Sequence, residues 1–233
     1  MSKNRYMEHR SALMAAFPHT IPVMTGYLVL GLAYGVLMQL NGYGAFWSVL
    51  MSLVAFCGSM QYAAITLLTS TFNPLQALLL SLTVNARHLF YGLSMLEKYR
   101  GLGKTRIFLI FALSDETFSI SSSVLPPASI NRKYFYFWIS FLDYAYWSFG
   151  TLLGSMLGRL ITFDTTGLDF VLTALFVVLF LDQIKTKVNL VSGLIGIFCT
   201  LVCLILFGPN QFVIPSMVLI LFVLMIGRKR LCC

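Results

Sequence analysis

Asn85-Ala86-Arg87-His88-Leu89-Phe90-Tyr91-Gly92 stands in the middle of a run, Leu75 to Leu96, that is otherwise as apolar as lipid. An amide, a guanidinium and an imidazole within four residues do not belong in hydrocarbon. An arginine at the centre of a membrane helix costs about 3 kcal/mol on insertion scales. Other parts of the chain must receive these groups. At about 100° per residue, Ser81, Asn85, His88 and Gly92 share one helix face, and Thr83, Arg87, Tyr91 and Ser94 the opposite one. A helix polar on two opposite sides shows neither side to lipid. The pattern predicts a helix buried in a bundle or broken near Asn85. Two roles fit: a polar clamp between helices, or a transport pathway, the usual role of ionisable groups inside a membrane.

The composition agrees with this environment. Of 233 residues, 58% are hydrophobic and only 10% charged, against about 25% charged in soluble domains. The expected fold is an all-α polytopic membrane protein, a single transmembrane domain over residues 1–233. The apolar runs are long and unalternating, which excludes a β-barrel. The net charge of +8 is not a nucleic-acid signal, because the basic residues cluster at the ends of apolar runs. The cysteines, Cys57, Cys199, Cys203, Cys232 and Cys233, form no disulfide framework or zinc motif. No metal or cofactor is expected. His9, His19 and His88 are the only histidines and have no metal-ligand spacing to cysteine or aspartate, so an enzyme is not expected. Gly103-Lys104-Thr105 lacks the first glycine of a phosphate-binding loop.

Along the chain, the first apolar run is Pro18 to Leu40, with Gly31 and Gly35 spaced for close helix contact. The second, Ala45 to Ser70, is interrupted at Cys57-Gly58-Ser59-Met60-Gln61, where a local break is expected. The third carries the opening stretch and leads into the basic loop Lys98 to Arg106. Ile107 to Val124 is short, and its second half is polar, with Asp115 and Glu116 adjacent. Tyr134 to Leu160 holds Asp143 and ends in the glycine ridge Gly150/Gly154/Gly158. The neighbouring Tyr144, Tyr146 and Trp147 place Asp143 nearer the membrane interface. Leu168 to Ile184, Val188 to Phe207 and Phe212 to Gly227 complete about eight apolar segments.

The charges constrain the topology. If every run crossed, the basic N-terminus and the Lys98–Arg106 loop would face opposite sides. The conflict vanishes if one of the first three runs does not cross fully and Ile107–Val124 dips and returns. About six segments then cross, and both termini are cytoplasmic. Broken or re-entrant segments are tolerated where they line a cavity or pack on protein, and they commonly build transporter sites.

With these residues laid out, the chain resembles the AzlC/YgaZ family, large subunits of two-component branched-chain amino-acid exporters. The resemblance rests on Phe56-Cys57-Gly58-Ser59-Met60-Gln61, Asn85 to Gly92, Ser114-Asp115-Glu116-Thr117-Phe118 and Trp147-Ser148-Phe149-Gly150-Thr151. It continues through Gly167-Leu168-Asp169-Phe170 into Ala174-Leu175-Phe176. It implies export of valine-like amino acids across the cytoplasmic membrane, together with a small AzlD/YgaH-type membrane subunit.

The candidate pathway residues follow from the chemistry of a zwitterion. Its carboxylate needs a cation or free N–H groups, for which Arg87 and a break near Gly58 are candidates. Its ammonium needs an acid, with Asp115, Glu116 and Asp143 as candidates. Gln61 and Asn85 add polar groups at mid-depth, and His88 is either a core histidine or a proton relay. The acids have a plainer reading too: Asp115 or Asp143 neutralises Arg87, with Asp115 or Glu116 favoured over Asp143 or Asp182. Without a nucleotide motif, a carrier here draws on an ion or proton gradient. The alternative is a passive channel or a structural membrane subunit.

Overall fold

The structure is a computed structural model that describes residues 2–69, 71, 73–160, 170, 177, 180, 181, 184, 187–208 and 212–231. Among the described residues every regular element is a helix. The chain forms two compact units, Met1–Leu168 and Asp169–Cys233. The first contains α1 (Ser2–Leu40), α2 (Ala45–Val54), α3 (Gly58–Thr69), α4 (Pro74–Met95), α5 (Thr105–Phe111), α6 (Asp115–Ser123) and α7 (Arg132–Leu157). In the second, α8 (Lys187–Phe207) packs on α9 (Val213–Leu231). Among the described residues Tyr6–Leu40 and Leu190–Phe207 are long and apolar enough to cross a membrane. Asp164, Asp169, Asp182 and most of the Leu168–Ile184 run lie outside the described residues.

The spine of the first unit is α1 lying parallel to α7. His9 stacks on Tyr134 near the start of both helices, with ring centroids 3.9 Å apart. Thr20 meets Tyr146 further along, and Ser155 donates to the Gly35 carbonyl near the far ends. The glycines make this approach possible. A Cβ on Gly154 would stand 2.7 Å from Leu32 Cα, and one on Gly35 would stand 2.6 Å from Ser155 N. Backbone therefore packs on backbone along the small-residue ridge expected from the spacing. Pro18 and Pro22 are accommodated inside α1, which begins well before the apolar run does.

Two pairs of short helices are hairpins inserted from opposite ends of this spine. Tyr43, just before α2, donates to the Leu68 carbonyl near the end of α3, so α2 and α3 begin and end at the far end of the spine. Their tip, at Ala55–Cys57, includes the buried Phe56 with φ of +35°, a left-handed conformation for a non-glycine residue. At the other end Lys98 donates to the Ser122 carbonyl, and Arg132 donates to the Lys98 carbonyl. Asn131 donates to Glu8 at the same level. The loop before α5, the end of α6 and the starts of α1 and α7 thus share one basic end. The tip of the α5–α6 hairpin is closed by Ser114, whose Oγ caps α6 by accepting from Thr117 N–H. Asp115 and Glu116 in the first turn complement the helix dipole.

α4 runs unbroken between the two ends, contrary to the expected break near Asn85, and it is not fully buried. The two polar faces are about 135° apart rather than 180° on a helical projection. That leaves a third, apolar face. Leu75, Leu78, Leu82, Leu89 and Leu93 lie along it, and all are exposed.

Replacing Gly154 by valine should separate α1 from α7. The expected loss is on the order of 3 kcal/mol, the upper part of the overpacking range. Gly26→Ala, where nothing lies within 4 Å of an added Cβ, serves as control. Thermal melting of the purified variants checks this, with Gly26→Ala expected to match the parent.

Candidate functional site

The hairpin tips converge on the middle of α4. By helical rise, Arg87 lies about 12 Å in from the Met95 end of α4, and Asp115 about 12 Å in from the Ser123 end of α6. Arg87 Nη1 lies 2.9 Å from Asp115 Oδ2. Its Nη2 donates to Ser59 Oγ in the first turn of α3. One guanidinium therefore ties both tips to α4. The neighbouring segment supplies the counter-charge, and Asp143 does not touch Arg87. The pair remains partly accessible, with the Arg87 and Asp115 side chains 31% and 23% exposed. Arg87 Nε and Asp115 Oδ1 are buried without hydrogen-bond partners, so each has capacity for a further contact.

The other polar face of α4 borders a cavity of about 230 Å³, whose lining includes Phe56, Cys57, Asn85, His88, Gly92 and Leu113. The Cys57 thiol donates to Asn85 Oδ1 across it. This volume is below the roughly 300–1,000 Å³ of pockets for drug-sized ligands and suits a small solute. Both tips contribute to its wall. The tip of α3 has no acid in its first turn, whereas that of α6 carries two. The N-terminal end of the α3 helix on one side and the carboxylates of α6 on the other give the neighbourhood opposite polarities.

The remaining sequence candidates lie in the interior. Gln61 is fully buried and accepts from Trp147 Nε1 at 2.8 Å while donating to Ser52 Oγ at 2.8 Å. It fastens the first hairpin to α7. Tyr27 Oη contacts both Glu116 Oε2, at 2.5 Å, and Ser114 Oγ, at 2.7 Å. Asp143 accepts from the Thr117 hydroxyl at 2.8 Å. It is fully buried near the midpoint of α7 and against the tip of α6, not toward a helix end as its aromatic neighbours suggest. Those rings pack around the spine: Tyr146 reaches Thr20, and Trp147 packs on Tyr27 and Tyr34. Outside the helices, at the basic end, burial and the Arg132 guanidinium lower the pKa of Lys98.

Residues 22–161 match the family described as AzlC protein. The branched-chain amino acid transport protein AzlC of Bacillus subtilis is 46% identical over 98% of this chain and 91% of its own length. The chain belongs to the AzlC family. An uncharacterized membrane protein of Helicobacter pylori is 40% identical over 97% of this chain and 99% of its own length. The inner membrane protein YgaZ of Escherichia coli is 26% identical over 80% of each chain. No solved structure gives a significant match. This AzlC-family chain is an all-α membrane protein.

The family match covers both hairpins, α4, α7 and α1 from Pro22 onward, so every residue of the convergence point lies inside it. Sequence reading missed Tyr27, Ser59, Ser114 and Thr117 as partners of the charged residues. Each is a single hydroxyl in a run rich in others, and only the tip geometry distinguishes them.

Removing one partner of the Arg87–Asp115 pair should cost about 2 kcal/mol, between the values for exposed and buried pairs. Arg87→Leu and Asp115→Leu should each lower the membrane level. The double exchange Arg87→Asp with Asp115→Arg should recover more than half of it. Arg87→Lys keeps charge but loses the two-pronged contact to Asp115 and Ser59, and should retain an intermediate level. Quantitative immunoblotting of membranes checks the series.

Proposed function

We propose that this chain is a secondary carrier exporting branched-chain amino acids across the cytoplasmic membrane with a small AzlD/YgaH-type subunit. The observation that carries the reading is the convergence of two re-entrant tips on α4 beside the 230 Å³ cavity. The apolar wall at Phe56 and Leu113 accepts a branched side chain. Asn85 and His88 offer hydrogen bonds, and the head of α3 offers N–H groups to the carboxylate. The free Asp115 Oδ1 suits the ammonium. Substrate then competes with Arg87 for Asp115, loosening the tie between the tips. The relative named as a branched-chain amino acid transport protein covers nearly the whole chain and supports this substrate class.

In membrane terms α1, α4 and α7 cross, while each hairpin reaches only part-way. The basic end carries Lys98, Arg100, Lys104, Arg106, Arg132 and Lys133, and the positive-inside rule places it in the cytoplasm.

Cells expressing this chain with the small subunit should export labelled valine, and cells with this chain alone should export little. In liposomes the two-subunit carrier should accumulate labelled valine against unlabelled counterflow. Simple equilibration without that overshoot identifies a channel instead. A cysteine placed at Lys104 should resist an impermeant thiol reagent added to intact cells and react once the membrane is opened. Labelling from outside would reverse the orientation.

A further inference from the structure

Glu116 and Asp143 are joined by an unbroken series of oxygen contacts through three hydroxyls. The links are Glu116 Oε2 to Tyr27 Oη at 2.5 Å, Tyr27 Oη to Ser114 Oγ at 2.7 Å, Ser114 Oγ to Thr117 Oγ1 at 3.0 Å, and Thr117 Oγ1 to Asp143 Oδ2 at 2.8 Å. The series crosses from α6 to α1, back to the head of α6 and on to α7. Four links need four protons, and the three hydroxyls supply only three. With both carboxyls ionised one link is an unfilled contact between oxygens. One further proton, on either carboxyl, fills every link.

The surroundings favour that proton. Asp143 is fully buried, and among the described residues no cation pairs with it or with Glu116. The titratable groups beside the series are Asp115 on its own helix and Tyr91 from α4, with Arg87 next to Asp115. Of these Arg87 is already engaged by Asp115. An uncompensated charge buried here would be costly. With the proton on Glu116 all four hydrogen bonds point toward Asp143, and with it on Asp143 all four point toward Glu116.

We propose that the coupling ion is the proton and that the series Glu116–Tyr27–Ser114–Thr117–Asp143 carries it. This rests on the transport function proposed above and names what drives it. Passage of one proton from Glu116 to Asp143 breaks four O–H bonds and makes four, leaving each hydroxyl neutral and turned around. Glu116 is adjacent in sequence to Asp115, so the start of the series lies beside the site assigned to the substrate ammonium. Movement of the α5–α6 hairpin on the spine parts the Tyr27 and Asp143 contacts together. The series is therefore intact only in the tip position that holds Arg87 and Asp115 paired.

The test uses inside-out membrane vesicles from cells expressing the full chain with the small subunit, with activities normalised to protein level. An acid-inside pH gradient should drive accumulation of labelled valine, and adding valine should make the lumen more alkaline. Tyr27→Phe and Thr117→Val remove one hydroxyl each without removing a charge. Both should keep valine–valine exchange and lose gradient-driven accumulation about a hundredfold, the scale of losing a positioned proton-transfer group. Asp143→Asn should lose it as well, and Thr117→Ser should retain it. Wild-type valine transport that ignores the pH gradient overturns the relay and leaves the carrier reading intact. Gradient-driven accumulation unchanged in Thr117→Val and Tyr27→Phe does the same. Wild-type vesicles that neither transport nor exchange valine overturn the carrier reading and the relay with it.

Discussion

The Arg87 guanidinium is the constraint around which the first unit closes. Placed about 12 Å in from the end of a mostly apolar helix and only partly accessible, it needs partners from the protein. Two separate elements answer it. Asp115 comes from a hairpin entering at the basic end, and Ser59 from a hairpin entering at the other. Neither hairpin crosses from end to end. A segment that turns back at mid-depth exposes backbone N–H groups at its tip, and those need polar company that lipid cannot supply. The arginine and the two tips therefore satisfy one another's requirements.

The arrangement divides the unit into a rigid part and a part held by side chains. Between α1 and α7 the contact is backbone on backbone, filled by glycines that leave no room for a Cβ. Between the hairpins and this spine the contacts are directional. Gln61 meets Trp147 and Ser52, Thr117 meets Asp143, and Tyr27 meets Glu116. Hydrogen bonds of this sort are exchangeable in a way that a glycine ridge is not. The order of elements adds to this. α1 is followed by a hairpin from the far end, and α4 by one from the basic end. A long helix and its hairpin are thus repeated in inverted sense, the plan on which many carriers alternate access around a central site.

Much of this was legible in the residues. The interruption at Cys57–Gln61, the glycine spacing in α1 and α7, and the need for an acid near Arg87 all follow from local chemistry. The charge distribution is eased if one early run turns back, and Ala45–Val54 and Gly58–Thr69 do form a hairpin. What misled is equally physical. Aromatic neighbours placed Asp143 near the interface, because tyrosine and tryptophan usually mark that level. Here the same rings are packing and hydrogen-bonding groups within the core of the unit. α4 looked wholly enclosed because two polar faces were counted and the third was not. A projection locates the leucines, but only tertiary packing decides that they remain uncovered.

The two polar faces of α4 also explain why substrate and proton need not share one group. Asn85 and His88 line the cavity, while Arg87 faces the acids of α6. Beyond those acids lies the hydroxyl series leading to α7. A zwitterion entering beside the tips carries both charge signs and alters the field at Asp115. Glu116, the next residue, holds the first position of the series, so that change falls on a group whose proton has an alternative place at Asp143. Coupling then requires only that Asp115 prefer Arg87 in one tip position and the substrate ammonium in another. The energy at stake is that of one partly exposed ion pair, on the order of 1–3 kcal/mol, within the usual range for coupling between sites.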